Sequence, residues 1–92
     1  MLNTKIKELR VSHNLSQVDL AKLLSVTKQT VSNWENNNIQ PSVDMLVKIA
    51  DCFSVSTDFL LGRENRVYIE AEGLSQKEVA HIQQLIKDLK NK

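Results

Sequence analysis

The stretch from Gln17 to Trp34, QVDLAKLLSVTKQTVSNW, constrains the fold more than any other part of the chain. Leu20, Ala21, Leu23 and Leu24 recur at helical spacing and stop at Ser25 and Val26. Thr27 then offers the side-chain oxygen of a helix N-cap. Val31 and Trp34 resume an apolar stripe three residues apart. The pattern predicts two short helices joined by a tight turn. The second has an apolar inner face and an outward row of Lys28, Gln29, Thr30, Ser32 and Asn33.

Helical signals continue on both sides. Leu2, Ile6 and Leu9 mark an amphipathic first helix over residues 2–12, ended by His13 and Asn14. Ser16 opens the second helix, with Asp19 three residues on as the acid of a capping box. The run Asn36, Asn37 and Asn38 ends the third, since Asn tolerates the left-handed conformation of a C-terminal cap. Pro41 and Ser42 precede a fourth helix whose inward face is Met45, Leu46, Ile49, Ala50 and Phe53. Ser56 starts a very short fifth helix through Leu61, and Gly62 stops it. With two Gly and one Pro, the chain has little material for strands joined by tight turns. The expected fold is all-α, a compact five-helix domain over residues 1–62.

After Gly62 the character changes. Residues 63–73 read as a polar linker, and the alternation of Val67, Ile69 and Ala71 also fits one short strand. Ser75 and Glu78 form a capping box for a last helix within residues 74–92. Its stripe of Val79, Ile82, Leu85, Ile86 and Leu89 can fold back on the domain, pair with its copy as a dimerisation element, or serve another protein.

Several classes are disfavoured by what the chain contains. No apolar run approaches the roughly 20 residues that span a membrane. The start, MLNTKIKELR, lacks a signal-peptide core, so a cytoplasmic location is expected. Cys52 is alone and reads as partly buried filler. His13 and His81 have no partner at metal-ligand spacing and read as surface side chains. Asp44, Asp51 and Asp58 have capping or solvent roles and no accompanying nucleophile–base pair. No enzyme, metal site or cofactor is therefore expected.

The net charge of +1 is low for a nucleic-acid binder. The distribution is uneven, however. In residues 1–62, five of the six bases lie at or before Lys28, and four of the six acids lie at or after Glu35. One positive face can still meet phosphates.

Two helices joined by a short turn fit a helix-turn-helix motif. A small residue is needed where the helices approach, and Ala21 supplies it. Val26, Val31 and Trp34 pin the second helix to the body. Such a helix reads a DNA major groove with its N-terminal part, here Thr27, Lys28, Gln29 and Thr30, with Asn33 one turn on.

The pattern LSQVDLAKLLSVTKQTVSNWENN…PSVDMLVKIADCFSVSTDFLLG resembles the phage-repressor/Cro-like (Xre) helix-turn-helix family over roughly residues 3–62. The resemblance implies a five-helix, lambda-repressor-like domain followed by an added C-terminal helix. It implies a transcriptional regulator, by default a repressor, that binds double-stranded operator DNA as a homodimer. By matching position, Lys28, Gln29, Thr30 and Asn33 would read bases. Gln17, Thr27, Ser32, Asn36, Asn38 and Gln40 would contact the DNA backbone. Arg10 and Glu35 match a structural salt bridge between the first and third helices. Ser25 departs from the family, which often has Gly at that turn, so the turn's geometry is left open. A second class also fits residues 63–92 and the near-neutral charge: an antitoxin-like protein-interaction module whose DNA binding is secondary.

Overall fold

The computed structural model of the chain describes residues 1–66 and 68–91. It contains the helices α1 Leu2–Ser12, α2 Gln17–Leu24, α3 Lys28–Glu35, α4 Val43–Phe53, α5 Thr57–Leu60 and α6 Gln76–Lys90. Among the described residues no strand forms. Ile69 and Ala71 lie in irregular chain, with no second strand to take their backbone hydrogen bonds. Val67, the third member of that alternation, lies outside the described residues.

Local chemistry sets where the helices begin. Ser16, Thr27, Ser42, Ser56 and Ser75 each accept a hydrogen bond from the backbone N–H three residues on. A cap of this kind is worth about 1 kcal/mol. Asp19 and Glu78 return the bond to the Ser16 and Ser75 backbone N–H groups at 2.9 Å, which closes two capping boxes. Helix α1 follows Met1 and has no side-chain cap.

Two helix ends use one device. Ser25 after α2 and Ser54 after α4 are both left-handed, at φ 58° and 54°. The following valines donate back five residues in the chain, Val26 N–H to the Ala21 carbonyl at 2.9 Å and Val55 N–H to the Ala50 carbonyl at 3.0 Å. This pairing satisfies helix-end carbonyls that would otherwise lack a donor. The turn between α2 and α3 is thus left-handed without glycine. Asn14 and Asn37 take the same conformation, at φ 58° and 59°, where α1 and α3 end.

Helices α1 to α5 enclose a single core. Ile6, Leu20, Leu24, Val31, Trp34, Ile49, Phe53 and Leu60 are buried, with Ala21 and Ala50 where helices approach closely. Trp34 is core, at 4% exposure. His13 is exposed but not free of contacts. Its ring packs against Phe53 at 4.9 Å, and its Nδ1 lies 2.8 Å from the Leu9 carbonyl. Cys52 is partly buried, and loss of water pushes its thiol pKa up.

Helix α6 differs from the rest. No α6 residue is buried, and Leu85 and Leu89 are 55% and 54% exposed. The radius of gyration is 15.3 Å, against about 12 Å for a compact chain of this length. No helix among the described residues is long and apolar enough to cross a membrane.

Candidate nucleic-acid interface

Helix α3 is amphipathic because Val31 and Trp34 share one side, and both are buried against the body. Helix α2 packs beside it. That contact fixes which α3 side chains face outward.

The outward residues fall into linked pairs. Thr27 Oγ1 accepts from the Thr30 backbone N–H at 3.1 Å and lies 2.9 Å from Thr30 Oγ1. These two hydroxyls hold the start of the helix. Gln29 Nε2 donates to Asn33 Oδ1 at 3.0 Å. Each amide then keeps an acceptor or donor end for other partners. Asn36 Nδ2 donates to Ser32 Oγ at 3.2 Å. Lys28 and Gln29 are exposed, while Thr30, Ser32 and Asn33 are half-buried. Lys28 enters no ion pair among the described residues. Asn38 and Gln40 are exposed in the loop to α4, where Asn38 N–H donates to the Asn33 carbonyl at 2.9 Å.

Behind this row lies the one charged side chain buried among the described residues, Glu35. Arg10 grips its carboxylate with two N–H groups, Nε at 2.7 Å and Nη2 at 3.1 Å. The hydrogen bond that Arg10 donates to Glu35 raises the already high Arg10 pKa further, against the loss of water. Arg10 Nη1 also donates to the Leu15 carbonyl at 2.8 Å. Gln17 Nε2 donates to Glu35 Oε1 at 3.1 Å. The Gln17 amide thus sits with Arg10 and Glu35, not with the α3 row.

Two contributors had no signal in the residue pattern. Leu15 acts through its backbone carbonyl, which its apolar side chain does not advertise. Asn3 Nδ2 reaches the Glu35 carbonyl at 3.4 Å from 32 residues away.

Two packed helices joined by a left-handed turn, the second with a polar row outward, define a helix-turn-helix protein. The family model described as Helix-turn-helix (HTH_3) matches residues 6–60. The HTH-type transcriptional regulator ImmR of Bacillus subtilis (strain 168) is 30% identical over 87 residues, which is 95% of this chain and 68% of that protein. The chain therefore belongs to the helix-turn-helix, Xre-type family of DNA-binding transcriptional regulators.

Solved structures share the fold. The P22 c2 repressor protein, in complex with a synthetic operator, has a TM-score of 0.65 at 23% identity, covering 70% of this chain and 97% of that one. The SinR protein/SinI protein complex gives 0.64 at 24% identity, covering both chains fully at 100%.

Proposed function

We propose that the chain is a sequence-specific regulator, acting in the cytoplasm as a repressor, that binds a symmetric operator as a homodimer. The outward face of α3 carries this reading, with its paired Gln29 and Asn33 amides beside exposed Lys28. A bidentate amide matches adenine and a lysine matches guanine in the major groove. Lys28, Gln29, Thr30 and Asn33 take the base-reading role. Gln17, Thr27, Ser32, Asn36, Asn38 and Gln40 hold the DNA backbone, which sets register without reading sequence.

Residues 1–62 act as the reading unit, 63–73 as a linker and 74–92 as the pairing element. The unburied stripe on α6 supports this division. So does a groove of about 270 Å³ between that helix and Tyr68, Ile69 and Leu74. A symmetric site needs two copies of α3 at fixed separation, which a dimer supplies.

Selection of fragments from a random DNA pool, followed by gel shift across a salt series, tests the proposal. A retained consensus with two-fold symmetry supports it. No retention, or equal retention of all DNA at low salt only, sinks it.

A second reading treats residues 63–92 as a seat for a protein partner, with DNA binding secondary. The likeness to a structure solved as a protein–protein complex, over a span that includes α6, favours it. Deleting residues 63–92 separates the two. Loss of the dimer alone supports the first, and loss of a bound partner supports the second.

A further inference from the structure

We infer that Glu35 is a positioning residue for DNA binding, acting through the side-chain amide of Gln17. The inference rests on the DNA-binding reading above. It rests equally on a geometry that stands without it.

An ionised carboxylate only accepts hydrogen bonds. Glu35, with its side chain 2% exposed, therefore dictates which end of the Gln17 amide turns toward it. The Nε2 end must face Glu35 Oε1, at 3.1 Å. That choice leaves one N–H of the same nitrogen, and the carbonyl Oε1, for other partners. An amide on the surface flips freely between donor and acceptor ends, and this one does not.

The backbone beneath Gln17 is held by the same network. Arg10, already forked onto Glu35, also binds the Leu15 carbonyl at 2.8 Å. Leu15 directly precedes Ser16, the N-cap of α2. Glu35 ends α3, the helix that carries the reading row. One carboxylate thus couples the orientation of the α2 amide to the placement of α3. A phosphate contact from Gln17 is preorganised, and its position relative to the read bases is set.

The test uses the full chain, with a fragment that the wild-type protein selects. Glu35→Gln keeps the shape of the side chain but lets it donate as well as accept, which frees the Gln17 amide to flip. Phosphate-ethylation interference is compared for wild type, Glu35→Gln, Gln17→Ala and the double variant. The expected result is one phosphate per half-site whose interference is lost in both single variants, the others being kept. Each single variant weakens binding by roughly three- to tenfold, on the scale of one hydrogen bond. The double variant loses no more than either single one. A Glu35→Gln protein that keeps that phosphate, or losses that multiply in the double variant, overturns the inference while leaving the DNA-binding reading intact. Wild type that selects no fragment overturns both.

A measurement on the unbound wild-type protein guards against misfolding of the variant. In a nitrogen–proton correlation spectrum, one of the two Gln17 side-chain amide protons should lie clearly downfield of its position in a free glutamine, shifted by its bond to the Glu35 carboxylate. Both protons at the positions of a free, solvent-exposed glutamine amide overturn the inference.

Discussion

Arg10 Nε and Glu35 Oε2 lie 2.7 Å apart, with side chains 12% and 2% exposed, and they tie α1 to the end of the outward-facing helix α3. A buried pair adds little over a well-packed apolar pair, but breaking it leaves one charge without a partner. Glu35→Ala should therefore lower stability by about 3 kcal/mol. Chemical denaturation checks this. Arg10→Met combined with Glu35→Leu should recover much of the loss, because neither charge then remains buried alone.

Ser25 occupies a left-handed conformation at φ 58° without being glycine. An L side chain costs on the order of 1 kcal/mol there. Ser25→Gly should raise stability by roughly 0.5–1 kcal/mol, part of the gain being offset by the freer unfolded chain. The shift in denaturation midpoint reads it directly. Ser54→Gly should behave alike, and a loss of stability in both would show that the serine side chains matter there.

Acid should weaken the start of α2. The Ser16 backbone N–H, and then its hydroxyl, hold the Asp19 pKa below the usual carboxylate range. The folded-state value is thus lower than the unfolded one. The contribution is fully present above the unfolded value and fades as pH falls through the folded one. Thermal unfolding from about pH 7 down to about pH 2 should show wild type losing an advantage over Asp19→Asn that it holds at neutral pH.

Base reading and phosphate binding should separate when selected and scrambled fragments are compared. Gln29→Ala with Asn33→Ala should erase sequence discrimination, at about 1–3 kcal/mol per lost base contact, with helical content unchanged. Asn36→Ala with Gln40→Ala should instead weaken binding to all fragments alike, because backbone contacts carry no sequence information. Gel-shift titrations on selected and scrambled fragments distinguish the two.

The helix starts were legible because a cap is local. Ser16, Thr27, Ser42, Ser56 and Ser75 bond to a backbone three residues away, so each start shows within four residues of sequence. Trp34 was legible as core from its spacing with Val31. The linker was harder. Alternation at Ile69 and Ala71 describes a strand only where another strand is present to pair with it. The face of α6 was legible as an apolar stripe, but the stripe alone does not name what covers it.

By itself the sequence determined the number of helices, their caps and the outward row on α3. Those depend on periodicity and on hydrogen bonds that close within a turn. Tertiary structure alone decided that Gln17 spends a donor on the Arg10–Glu35 pair, a pair that the family resemblance had implied. Gln17 and Arg10 meet one Glu35 carboxylate from 18 and 25 residues away. Helix packing brings them there, and the acceptor-only chemistry of a buried carboxylate settles which way the Gln17 amide turns.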